Sequence, residues 1–242
     1  MSFPLSDTDV PSLTTAQMVE VDRLMVEEYG IDLTRMMESA GRSVAALARD
    51  RFLGRDPREK SVTVLAGPGG NGGGVLVAAR RLANWGADVS VILASPNLTP
   101  VPAQQLGILR HMGVRVLGAD AVADLASPVA VLDGLIGYSL RGAPRGPTAD
   151  LIRWATDRSE RVLALDVPSG MDAGTGAAFD PTVRAAATLT LALPKHGLRE
   201  PAAAHWTGEL YLADISVPPE LYARLGLDVG PIFARSEIVR LT

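Results

Sequence analysis

The chain has 242 residues, nearly half of them apolar, with a formal net charge of −4 and no cysteine. Disulfide scaffolds, thiolate zinc sites and cysteine nucleophiles are excluded outright, and the acidic balance argues against a general nucleic-acid binder. No apolar run approaches the roughly 18 residues of a membrane span, no Lys/Arg block marks a membrane surface, and the N-terminus lacks a signal peptide's basic-then-apolar order. A cytoplasmic protein is expected.

In chain order, residues 1–13 read as a polar, proline-marked arm or loop. Thr14 or Thr15 starts a helix over Ala16–Tyr29, with Met18, Val21, Leu24 and Met25 on one face and Gly30 as its stop. A second helix runs from Asp32 or Thr34 to Phe52 and forms, with the first, a cap on the sheet or a subunit contact. The first strand, Ser61–Ala66, meets a glycine stretch, and helical pattern from Val75 continues to Trp85. Asp88–Ala94 and Val114–Leu117 read as strands two and three, separated by a helix over Val101–Met112. Ala119–Leu125 reads as a helical turn or two.

Val129–Leu132 is the fourth strand and ends in Asp133; a loop, Gly134–Pro147, leads to a helix over Thr148–Thr156. Val162–Leu165 is the fifth strand and runs into Asp166-Val167-Pro168-Ser169-Gly170. Thr188–Leu193 and Glu209–Ala213 are two more strands, Pro218–Leu225 a short helix, and the tail an added edge strand. This alternation predicts an α/β fold: a single doubly wound, mostly parallel sheet with helices on both faces, in one Rossmann-like domain.

The glycine stretch, Gly67-Pro68-Gly69-Gly70-Asn71-Gly72-Gly73-Gly74, lies between strand and helix. There, backbone N–H groups and a helix N-terminus can cradle an anion. No Lys-Ser or Lys-Thr follows, which excludes a Walker loop, and the bare dinucleotide spacing of Gly67, Gly69 and Gly72 is unspecific in so glycine-rich a run. A tight turn without a ligand is an equal reading.

Ligands of such sheets bind beyond the carboxyl ends of the strands. Three polar groups fall there: Gly69–Gly74, Asp133 with its loop, and Asp166–Ser169. Each has a structural reading as turn or cap chemistry; their convergence favours a site. Asn71, Asp133 and Ser169 are oxygen donors suited to a hard cation. Asp166, at the end of a buried strand, is the carboxylate that desolvation would push toward acid–base use. Lys195 and His196 either face the site or flank it. His111 and His205 lack a partner at ligand spacing, and Arg141 either meets a phosphate, the favoured reading, or is simply solvated.

These motifs resemble the NAD(P)H-hydrate epimerase family, the YjeF N-terminal domain, from about Leu13 to Pro218. Met18…Asp22 and Met37-Glu38-Ser39-Ala40-Gly41 are similar to its opening helices, and Gly67–Arg80 to its signature GPGNNGGDGLVAAR. Asp133–Gly137, Asp166–Asp172 and Pro194-Lys195-His196-Gly197-Leu198 follow in the family's order. The resemblance implies epimerisation of NADHX and NADPHX, nicotinamide cofactors hydrated at C6, whose repair a separate dehydratase completes. It implies potassium held by Asn71, Asp133 and Ser169. It also implies substrate contacts from Gly70, Asn71, Gly72, Gly73, Gly74, Gly137, Tyr138, Ser139, Leu140, Arg141, Gly142, Ala143 and Asp166, with Asp166 as the catalytic acid–base. No further cofactor is needed, and a homodimer is expected.

Two departures stand out. The signature's acidic residue is Gly74, followed by Val75 in place of glycine, and its first asparagine is Gly70. A catalytically degenerate nucleotide-binding or scaffold protein is therefore the alternative, decided by whether another carboxylate, Asp172 being the candidate, compensates for Gly74. An ordinary dinucleotide-dependent oxidoreductase is a third reading, against which stands the missing Tyr-x-x-x-Lys pair.

Overall fold

The computed structural model describes residues 3–6 and 9–241. Two helices come first, α1 (Thr15–Glu27) and α2 (Leu33–Arg51). Thr14 and Gln17 close a reciprocal capping box on α1, and the Asp32 carboxylate caps α2. The strands are β1 (Ser61–Ala66), β2 (Asp88–Leu93), β3 (Arg115–Gly118), β4 (Ala130–Gly134), β5 (Val162–Leu165), β6 (Ala187–Leu191), β7 (Glu209–Ala213) and β8 (Ile238–Arg240). Between and after them lie α3 (Gly70–Asn84), α4 (Pro100–His111), α5 (Gly146–Thr156), a single-turn α6 (Ala204–Thr207) and α7 (Pro219–Arg224).

The eight strands form one sheet in the order β3-β2-β1-β4-β5-β6-β7-β8. All pairs are parallel except β7–β8. Strand order reverses between β1 and β4, where the connections leave in opposite directions and open a crevice at the carboxyl edge.

Alternate residues of the central strands feed two cores, as the strand period of two requires. Val62, Val64, Ala66, Val91, Leu132, Leu163 and Leu165 pack with Val44, Leu47, Leu76 and Leu82 of α2 and α3. Leu65, Ile92, Val131, Val162 and Ala164 pack with Leu151, Ile152 and Trp154 of α5. Burial on both faces explains why these strands read as unbroken apolar runs. A third cluster joins α1 and α7 to Leu212 of β7 and Val239 of β8.

The predicted architecture holds, with local corrections. Helix α3 begins at Gly70 rather than Val75, so Gly70–Gly74 form its opening turns and only Gly67–Gly69 make the turn. Asp133 lies within β4, paired across the sheet with Leu65 and Ala164, not beyond the strand's end. The described part of the N-terminal arm is tied down, with Leu13 bridging Lys195, Leu5 bridging Arg240 and the Val10 carbonyl oxygen accepting from Arg199. The rest of the arm prediction, over residues 1, 2, 7 and 8, lies outside the described residues. Among the described residues no helix is long and apolar enough to cross a membrane.

Candidate active site

The turn after β1 is built on close backbone approaches that only glycine permits. A Cβ on Gly67 would stand 1.9 Å from the Leu135 carbonyl oxygen, and one on Gly72 would stand 1.9 Å from the Gly67 carbonyl oxygen. These contacts pull the N-terminus of α3 against the β4 connection and set the crevice floor. The Asn71 amide, in the first turn of α3, donates to the Leu165 carbonyl oxygen at 2.7 Å, tying α3 to the end of β5.

Asp133 is fully buried. Its carboxylate accepts from the Ser169 hydroxyl at 2.6 Å, the Ser169 N–H at 2.9 Å and the Leu135 N–H at 3.2 Å. Burial pushes its carboxyl up to about 6 despite these three hydrogen bonds. The set therefore locks the ends of β4 and β5 together.

Asp166 has φ of +71°, unusual for a residue with a side chain, and the Val167 N–H donates to the Leu165 carbonyl oxygen across it at 2.9 Å. This is a γ-turn centred on the aspartate, a strained conformation of the kind that gathers at functional sites. Ala192 and Ser216, after β6 and β7, also have positive φ and sit at the same sheet edge. The turn sets the Asp166 carboxylate against the Lys195 ammonium, which also donates to the Leu191 carbonyl oxygen at 3.0 Å. The Tyr138 N–H donates to the other Asp166 oxygen at 3.3 Å. Asp166 is thus not a carboxyl desolvated alone; a buried cation faces it.

The second polar pair comes from farther away in the chain. The Tyr138 hydroxyl donates to Asp22 of α1 at 2.5 Å. Burial raises the Asp22 carboxyl above the usual range, against the Tyr138 hydrogen bond and the Lys195 charge. Burial and then the Asp22 carboxylate push the Tyr138 phenol up as well.

Two cavities meet here. An outer crevice of about 650 Å³ runs between Gly69–Asn71, Thr99–Pro102 and Leu135–Ser139. An inner pocket of about 100 Å³ is walled by Met18, Met36, Met37, Leu165, Leu191 and Ile215 and reaches Asp166 and Lys195. Asp22, Leu33, Met37, Gly70, Asn71 and Tyr138 line both, so the Asp22–Tyr138 bridge stands where the two join. The outer volume suits a nucleotide-sized ligand, and the apolar inner walls suit a ring.

Of the residues singled out in the sequence, Gly70, Asn71, Gly74, Gly137, Tyr138, Ser139 and Asp166 line one or both cavities. Gly72 and Gly73 are buried within α3 and line neither. Leu140, Arg141, Gly142 and Ala143 continue the loop outside both linings, and Arg141 is exposed. Asp172 does not replace the missing carboxylate: its oxygen accepts from Gly174 and Thr175 N–H groups and ties its own turn. Exposed His111 bonds the Gly107 carbonyl oxygen and His205 stacks edge-on against Trp206, both away from the cavities. Sequence reasoning left Lys195 undecided and named Asp22 only as part of an opening helix, without a role at the site; their signals were a lysine just after a strand and a polar residue inside an apolar helix face.

Gly74 stands at the acidic position of the signature that the sequence resembles. A Cβ there would meet the Leu165 Cδ2 at 2.7 Å, so an apolar side chain has taken the room next to it.

Residues 33–197 match the family model described as YjeF-related protein N-terminus. The NAD(P)H-hydrate epimerase of Dehalogenimonas lykanthroporepellens is 44% identical over 236 residues, covering 96% of this chain and 94% of that one. The bifunctional NAD(P)H-hydrate repair enzyme of Salinibacter ruber is 38% identical over 86% of this chain, which spans 41% of that longer protein. The crystal structure of yeast ynu0, YNL200c superposes with a TM-score of 0.81 at 26% identity, covering 96% of this chain and all of that one.

Proposed function

The chain belongs to the YjeF N-terminal family, and on that premise we propose that it is an NAD(P)H-hydrate epimerase, an isomerase interconverting the C6 epimers of NADHX and NADPHX. The observation that carries the reading is the joining of a nucleotide-sized crevice to an apolar pocket that ends on Asp166 and Lys195. The pyrophosphate would lie against the N–H groups opening α3, as helix N-termini favour anions. The hydrated ring would enter the inner pocket.

The chemistry needs no redox partner. The N1 lone pair expels the C6 hydroxyl, which leaves as water once protonated, and water returns to either face of the cationic ring. Asp166, the acid–base that the resemblance implies, stands at the pocket's end in its ion pair with Lys195 and would there stabilise that positive charge. Water-poor apolar walls strengthen the interaction. The inner pocket that Gly74 lines keeps Asp166 and Lys195 at its end, and this supports an active enzyme over a degenerate scaffold.

Asn71, Asp133 and Ser169 fit a potassium ion by donor chemistry: all three offer oxygen, and a single carboxylate matches a single charge. Among the described residues no group of three or more His, Asp or Glu is arranged for a more highly charged metal. Potassium would supply a fixed positive charge joining the turns after β1, β4 and β5. The exposed Val19 and Val26 of α1, with Tyr29 just beyond its end, support a homodimer. A cytoplasmic setting and a dehydratase acting on the same damaged cofactors complete the proposal. Bifunctional relatives support that coupling.

The test starts from one purified epimer of hydrated NADH and follows the other by chromatography. Interconversion well above the protein-free rate, lost in Asp166→Ala, is the expected result. A wild-type rate equal to the blank, with nucleotide still bound, would leave the scaffold reading.

A further inference from the structure

The inner pocket carries a second carboxyl that the reaction above has not used. A C6 hydroxyl leaves readily only as it gains a proton, and the returning water must give one up. Asp166 is poorly placed to carry that proton, because its partner is an ammonium. Protonating it would leave Lys195 a buried charge without its counter-ion. Asp22 differs in its partner. It bonds a neutral phenol, it lines the crevice and the pocket together, and no Lys or Arg among the described residues forms an ion pair with it. Burial also raises its carboxyl above the ordinary carboxylate range.

We infer that Asp22 is a second catalytic carboxyl of this site: it hands its proton to the departing C6 hydroxyl and recovers it from the incoming water. Asp166 meanwhile keeps its ion pair with Lys195 beside the ring. The inference rests on the epimerase reading. The C6–O bond breaks with its electron pair going to oxygen, the N1 lone pair forms the C6=N1 bond, and the Asp22 proton completes the water. On return, water adds to C6 from the other face, its proton passes to the Asp22 carboxylate, and the electron pair goes back to N1. Nothing else is consumed.

The titratable groups facing Asp22 from neighbouring elements are Tyr138 of the β4–α5 loop, Asp166 after β5 and Lys195 after β6. Arg224 of α7 instead engages Glu28, beyond the end of α1. A neutral Asp22 is the active form, so the rate should fall as pH rises through its pKa. The Tyr138 hydrogen bond lowers that pKa, so its removal should move the falling limb to higher pH.

Epimer interconversion is measured against pH for wild type, Asp22→Asn and Tyr138→Phe, with binding of the hydrated cofactor followed in parallel. Asp22→Asn should bind as wild type does but turn over about 10²–10⁴-fold more slowly, without the falling limb. Tyr138→Phe should keep the limb at higher pH. If wild type is active and Asp22→Asn stays within about threefold of it with an unchanged profile, or the Tyr138→Phe limb does not move, Asp22 is not the proton carrier and the epimerase reading survives. A wild type at the blank rate removes both.

Discussion

Lys195 and Asp166 form an ion pair whose two side chains are almost wholly withdrawn from water. The pair joins the segments after β6 and β5, and the bridge from Leu13 to Lys195 ties it to the N-terminal arm as well. Burying two charges is costly, and the attraction between them repays the cost only while both are present. Lys195→Met should therefore destabilise the protein by about 3–5 kcal/mol. The Lys195→Met/Asp166→Asn double variant should recover a large part of that loss. Denaturant melts of the two singles and the double would show this as a coupling; additive losses would mean that the pair does not act as a unit.

Asp133 makes stability depend on pH in a definite direction. Its carboxyl is raised on folding from 3.8 to about 6, so the folded state holds the proton where the unfolded chain has released it. Stability should fall as pH rises from about 4 to 6 and level off above, a cost of about 3 kcal/mol at most. In potassium-free buffer this slope should vanish in Asp133→Asn. Added potassium should raise the melting temperature more at pH 7.5 than at pH 4.5, because the cation favours the ionised carboxylate. An equal rise at both values would place the ion elsewhere.

Two glycines inside helices separate packing from propensity. Gly107, in α4, has open space around its Cβ direction, and Gly107→Ala should stabilise by about 0.5–1 kcal/mol. Gly74 gains the same propensity but meets Leu165 at 2.7 Å, and overpacking costs about 1–3 kcal/mol. Gly74→Ala should thus be neutral to destabilising, and Leu165→Val in the same chain should relieve it. Thermal unfolding of the three variants measures the contrast. A stabilised Gly74→Ala would mean that Leu165 gives way freely.

The sheet was legible because its strands are short apolar runs ended by turn residues, and because glycine and aspartate stand at those ends. Fold logic at the carboxyl edge brought Asn71, Asp133 and Asp166 together, and Tyr138 joined them only through the family resemblance. The start of α3 was misread because glycine's low helix propensity hides a helix that tertiary contacts impose. The Gly67–Leu135 and Gly72–Gly67 approaches leave that backbone no other course. Asp22 was hidden for a different reason. Its partner Tyr138 lies 116 residues away, and only the packing of α1 over the carboxyl edge brings them together. Lys195 was visible as a residue but not as a buried one, since no local pattern announces an ion pair with Asp166.

The most direct test of the whole account is a crystal structure of the protein with a hydrated nicotinamide cofactor bound. The ring should occupy the inner pocket, with C6 and its hydroxyl within hydrogen-bonding reach of Asp22 and Asp166 and the pyrophosphate at the N-terminus of α3. A ring lodged outside that pocket, with Asp22 still bridged to Tyr138 and neither carboxyl near C6, would contradict it.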